Sequence, residues 1–110
     1  MNITVSDVDD VKVLLFEGKL DTKSSPDAQT MLAELVERGA RKLIVNFENL
    51  AYISSSGLRM LLTTARQLKG CGGEIRICGL NEDVQEIFEI SGFNTIFAIT
   101  ETAQEALEDF

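Results

Sequence analysis

The chain has 110 residues, 45% of them apolar and 25% charged. That suffices for one core and one domain, expected over residues 1–110, and it is not the composition of a disordered segment. A formal net charge of −8 argues against nucleic acid or an anionic membrane as a partner, because their phosphates would be repelled. No apolar run reaches the ~20 residues of a membrane span. Met1–Asp7 lacks the basic start of a secretory leader, so a cytoplasmic location is expected. Cys71 and Cys78 match no zinc or redox spacing, and without histidine no metal or cofactor site is expected.

Ile3 and Val5 alternate with polar residues as in a half-buried strand. Asp9-Asp10 suits a tight turn into a second strand over Val11–Phe16, which makes a hairpin with the first. Gly18–Ser25 reads as a polar loop. Ser25-Pro26 reads as N-cap and first helical residue, with Ala28, Met31, Leu32, Leu35 and Val36 on one face and Gly39 as the stop. Leu43–Phe47 is apolar without strong alternation, so it is expected to be the central strand, covered on both faces. A helix from about Ser56 carries Leu58, Leu61, Leu62, Ala65 and Leu68 as its stripe and is broken by Gly70, Gly72 and Gly73.

Glu74–Cys78 reads as a strand, and Asn81 as the cap of a short helix with Val84, Ile87 and Phe88 inward. Ser91-Gly92 is a turn, and Ile96–Ile99 the last strand. Thr102 and Glu105 form a capping box for a terminal helix through Ala106 and Leu107. The order ββαβαβαβα predicts an α/β fold: a mixed, mostly parallel sheet with an N-terminal hairpin and four helices.

Ser54-Ser55-Ser56-Gly57 is the most informative stretch. It places small hydroxyl residues where the central strand turns into a helix. The free N–H groups of a helix start favour negative charge, so a phosphate there is tolerated by the fold and visible to a partner. The alternative is a plain N-cap, which needs only one of the three serines. Hydrolase chemistry is disfavoured, because the first glycine of a nucleophile elbow is missing and no Ser-His-Asp triad can form without histidine. A Ser-Lys dyad has Lys19, Lys23 and Lys69 as formal bases, with nothing to single one out. Gly70-Cys71-Gly72-Gly73 closes a helix, whereas a phosphate-binding loop opens one. The protein is expected not to be an enzyme.

Three segments carry a family resemblance. Phe16-Glu17-Gly18-Lys19-Leu20-Asp21 resembles the Gly-x-Leu/Ile-Asp signature of STAS domains. Leu50–Leu58 resembles their Asp-Ser-Ser/Thr-Gly-Leu phosphorylation motif, and Phe88–Phe93 the Ser-Gly-Leu turn before the last strand. Within that family the chain is similar to the stand-alone anti-sigma factor antagonists of bacterial partner switching. The resemblance implies Ser55 as phosphoacceptor, with Ser56 as runner-up, and Ser54 at the position of the family's aspartate.

It further implies a GHKL-type serine kinase that is also the anti-sigma factor, and a PP2C-type phosphatase that resets the cycle. Partner contacts are expected from Asp21, Ser54, Ser56, Gly57, Arg59 and Thr63. Arg59, Thr63 and Arg66 lie opposite the leucine stripe and either meet an acidic kinase surface or form a solvated face. Asp21 either orients a serine hydroxyl, meets the partner, or simply forms a turn. The competing reading is a non-catalytic STAS subunit of a lipid-transport complex or a stress-sensing scaffold, in which Ser55 is only structural.

Overall fold

A computed structural model describes residues 1–110. Five strands form one sheet in the order β1-β2-β3-β4-β5. They are β1 (Asn2–Val8), β2 (Val11–Leu20), β3 (Lys42–Ile53), β4 (Glu74–Cys78) and β5 (Ala98–Thr100). The β1/β2 hairpin is antiparallel and the other pairings are parallel. The helices are α1 (Ser25–Glu37), α2 (Ser55–Gly70), α3 (Glu82–Ile90) and α4 (Ala103–Leu107), with a single 3-10 turn over Phe93–Thr95.

β3 is the central strand, as its apolar run predicts. Alternation sends Leu43, Val45 and Phe47 into the large core with α1, α2 and α3, while Ile44 joins Val11, Cys78 and Ala106 in a smaller cluster under α4. Both faces of the strand are thereby covered. Cys78 is fully buried, and burial pushes its thiol up to about 11. It is protonated at neutral pH and unsuited to nucleophilic or metal chemistry.

Four boundaries differ from the expectation. β2 runs on to Leu20, so the loop begins only at Asp21. α1 is preceded by Ser24, and Ser25 lies buried in its first turn, its N–H and hydroxyl both donated to the Asp21 carbonyl. Ser25 is therefore not the N-cap. The last strand starts at Ala98, because Gly92, in the left-handed region at φ 76°, starts a 3-10 turn whose last bonds reach Ile96 and Phe97. β3 continues six residues past Phe47 to Ile53.

That extension positions the serine turn. Opposite Leu15–Glu17 and again opposite Gly18-Lys19, β3 carries one more residue than β2. Each extra residue is a bulge that bends the strand and resets which side chains face inward. Leu50 and Ile53 are buried, three apart, while Ala51 and Tyr52 between them are exposed. Leu20 ends β2 directly beside Ile53 at the end of β3, so the loops after the two strands emerge side by side.

Candidate functional site

The two loops are tied together at the backbone, where the Ser54 N–H donates to the Leu20 carbonyl at 2.9 Å. α2 then starts at Ser55, one residue earlier than the leucine stripe suggests, with Ser54 as N-cap. The Ser54 backbone is extended, and its hydroxyl accepts a 3.3 Å hydrogen bond from the Gly57 N–H. Serine and aspartate cap helices about equally well, so Ser54 keeps the structural role that an aspartate would have here. Ser54→Ala should cost about 1 kcal/mol, and Ser54→Asp should restore it. A chemical denaturation series that finds both variants equal to wild type would contradict the cap.

The three hydroxyls have different surroundings. That of Ser54 is used by the cap. Ser56, half-buried, has its hydroxyl 3.1 Å from Thr22 Oγ1 and accepts from Arg59 Nη2 at 3.4 Å. Ser55 is exposed at the first position of α2, and its hydroxyl makes no hydrogen bond within the chain. The N–H groups of the first turn have no partners inside the helix, and the positive end of the helix dipole lies there. An anion on Ser55 is favoured by both.

Gly57, in the same turn, is buried between the strand ends. A Cβ there would lie 2.8 Å from Ile53 Cγ1, 2.9 Å from Leu20 Cγ and 3.0 Å from the Leu20 carbonyl oxygen. The glycine lets the first turn of α2 sit directly on β2 and β3. It is a packing requirement of the turn, and Gly57 is buried in it.

Asp21 directly follows Leu20, whose carbonyl holds the Ser54 N–H, but its carboxylate makes no hydrogen bond to the hydroxyls of the serine turn. Its carboxylate accepts from the Lys23 N–H, the Ser24 N–H and the Ser24 hydroxyl, at 3.0, 3.0 and 3.1 Å. This is the turn-forming role. The bonds to Ser24, more than the others, hold its carboxyl below the ordinary carboxylate value of 3.8. A depressed folded-state value means that these bonds contribute fully above pH 3.8 and are lost as pH falls through the lower value. The β2–α1 loop is thus expected to stay ordered throughout the neutral range and to loosen only in acid, which amide proton shifts of Lys23 and Ser24 would report.

Thr22 is the residue that the loop brings to the serines, and sequence reasoning missed it. Its only signal was its place one residue beyond the Gly-Lys-Leu-Asp segment. Thr22, Pro26, Gln29, Ser56, Arg59 and Thr63 line a groove of about 280 Å³ between α1 and α2. Lys19, Asp21 and Lys23 line a separate groove beside Met1 and Met31. Arg59, Thr63 and Arg66 are all exposed on α2, as expected, whereas Leu62 and Ala65 are only half-buried and Met60 and Thr64 complete the buried stripe.

A five-stranded mixed sheet with helices on both faces, and a serine-rich helix start at the end of its central strand, is the architecture of a STAS domain. The STAS domain family model matches residues 2–106, and the chain belongs to that family. A Bordetella bronchiseptica protein with the provisional name anti-sigma factor antagonist BtrV is 34% identical over 110 residues, which is all of this chain and 95% of that protein. The crystal structure of a Thermotoga maritima protein, provisionally assigned as an anti-sigma factor antagonist, superposes with a TM-score of 0.92 at 21% identity, covering 97% of this chain and 92% of the other.

The Bacillus protein SpoIIAA is similar in both its unphosphorylated and its phosphorylated structures. The TM-score is 0.76 for each, at 20% and 23% identity, with 98% and 97% of this chain and 96% and 97% of SpoIIAA covered. No helix of this chain is long and apolar enough to cross a membrane.

Proposed function

We propose that this chain is a cytoplasmic anti-sigma factor antagonist whose affinity for its partner is switched by phosphorylation of Ser55. Unphosphorylated, it binds a GHKL-type serine kinase that also acts as an anti-sigma factor, and so releases that kinase's client. The kinase then uses ATP. The Ser55 Oγ attacks the γ-phosphorus, the bond to the β-phosphate oxygen breaks, ADP leaves, and the hydroxyl proton passes to a base of the kinase. A PP2C-type phosphatase hydrolyses the phosphoserine and restores the binding form. The chain serves as substrate and ligand in this cycle and catalyses no step.

The observation that carries this reading is the division of labour among the serines. Ser54 is committed to the cap and Ser56 to Thr22 and Arg59, which leaves Ser55 exposed and unbonded. The BtrV relative supports it over the full length of the chain. Calorimetry of the unphosphorylated chain with the GHKL kinase encoded nearest its gene tests the reading. Tight binding is expected, and no binding would contradict it.

The phosphate should alter the surface and leave the fold in place. It adds about −1.5 to −2 charges at a site favoured by the helix dipole by about 0.3–1 kcal/mol when exposed. No acidic residue lies between Glu48 and Glu74, so α2 supplies no repelling neighbour. The equal likeness to both forms of SpoIIAA accords with an unchanged fold. Melting temperatures of the two forms should agree within a few degrees, with NMR shifts confined to the neighbourhood of Ser55 and Asp21. Shift changes spread through the sheet would mean that the switch works by refolding.

A further inference from the structure

Of the 28 charged side chains, 18 are acidic, yet the stretch between Glu48 and Glu74 carries only Arg59, Arg66 and Lys69. Arg59 takes part in none of the three ion pairs of the structure, which join Lys12 to Asp7, Lys42 to Asp10 and Arg76 to Glu74. Its guanidinium instead reaches back to the start of its own helix, with Nη2 3.4 Å from Ser56 Oγ. Helical side chains lean toward the N-terminus. Residue 59 therefore covers the turn holding residues 55 and 56, and positions 55 and 59 are i,i+4 neighbours.

We propose that Arg59 is the second component of the switch. In the unphosphorylated chain it is an unpaired cation offered to a carboxylate on the kinase. Once Ser55 carries a phosphate, Arg59 turns to that phosphate and is withdrawn from the kinase. Phosphorylation then removes an attractive contact as well as adding a repulsive one. Guanidinium and phosphate match in shape, and two parallel N–H···O bonds form between them, which makes the capture specific to arginine. The proposal rests on Ser55 as acceptor.

Other charges near the turn are accounted for. Lys19 and Lys23 line the separate groove with Asp21, whose carboxylate is held by Ser24 and Lys23. Arg66 is about 16 Å further along the axis of α2 from Ser55, too far for a pair.

The test is a phosphorus NMR titration of the chain bearing phosphoserine at 55. The group is installed by the kinase or, if the kinase leaves Ser55 untouched, by co-translational incorporation. A cation at the phosphate favours its dianion and lowers its second ionisation. Arg59→Gln should therefore raise that ionisation by about 0.2–0.4 of a pH unit. Arg59→Lys should fall between the two, and Lys19→Gln, Lys23→Gln and Arg66→Gln should titrate like wild type. Identical titrations of Arg59→Gln and wild type would overturn the capture, as would a shift produced only by the Lys19 or Lys23 variants.

Kinase binding tests the other half. Phosphorylation should weaken binding of wild type by a larger factor than it weakens binding of Arg59→Gln, and equal factors would overturn the role of Arg59 toward the kinase. Failure of the acceptor assignment is seen separately, as a kinase-treated chain with no phosphate on Ser55, and it leaves the titration readable.

Discussion

Ser55→Ala should bind the kinase and never be released by ATP, while Ser55→Glu should bind roughly a hundredfold more weakly than wild type. The first variant removes the only hydroxyl of the turn that is both exposed and free of a hydrogen bond, and leaves the Ser54 cap and the Ser56–Thr22 contact in place. The second sets a fixed negative charge at the proposed docking surface, where like-charge juxtaposition costs several kcal/mol. Glutamate carries one charge where phosphate carries about two, and it lacks the phosphate geometry that Arg59 accepts, so the phosphorylated chain should bind more weakly still. Calorimetry with and without ATP, together with circular dichroism to show that both variants are folded, checks the result. Equal affinity of the alanine and glutamate variants would show that position 55 does not face the kinase.

Gly57→Ala should damage the fold itself. The added methyl would be forced to within 3.0 Å of Ile53, Leu20 and the Leu20 carbonyl. Two of those atoms belong to buried side chains and the third to the backbone that holds Ser54. Overpacking of this kind costs about 1–3 kcal/mol, which for a chain of this size lowers the melting temperature by roughly 10 °C. Gly70→Ala, in the same helix, is the control, because a Cβ there meets nothing within 4 Å. It should be neutral or should stabilise by up to about 1 kcal/mol. If both variants melt alike, the close approach of α2 to the strand ends is not what Gly57 serves. Because the first turn of α2 must shift to admit the methyl, Gly57→Ala should also weaken kinase binding even where it remains folded.

Most of the architecture was legible because the elements obey their own periodicities. Leu43–Phe47, Glu74–Cys78 and the Asn81 cap, whose side chain accepts from the Val84 N–H at 2.8 Å, stand where pattern and capping rules put them. What was hidden has physical causes. Residues 48–53 do not look like strand, because two bulges turn a period of two into buried positions three apart. Gly18 interrupts an apolar run and reads as loop, although it sits within β2 at φ 106°. The true neighbour of Ser56, Thr22, is 34 residues away in sequence and is brought close only by the Leu20–Ile53 register.

The serine motif was plain in the chain, but not which serine does what. That distinction depends on α2 starting at Ser55 instead of Ser56, a shift of one residue that turns Ser54 into the cap. Of the three roles open to Asp21 the structure shows the turn-forming one, whose hydrogen bonds to Ser24 and Lys23 are set by a loop conformation that local composition does not specify.

Incubation of the chain with the GHKL kinase and ATP, followed by fragmentation mass spectrometry of the 48–66 region, tests whether Ser55 is the phosphoacceptor. A single phosphate on Ser55, approaching one per chain and absent from Ser55→Ala, is the predicted result. Phosphate on Ser54 or Ser56, or none on any of the three under conditions in which the kinase binds the chain, would contradict it.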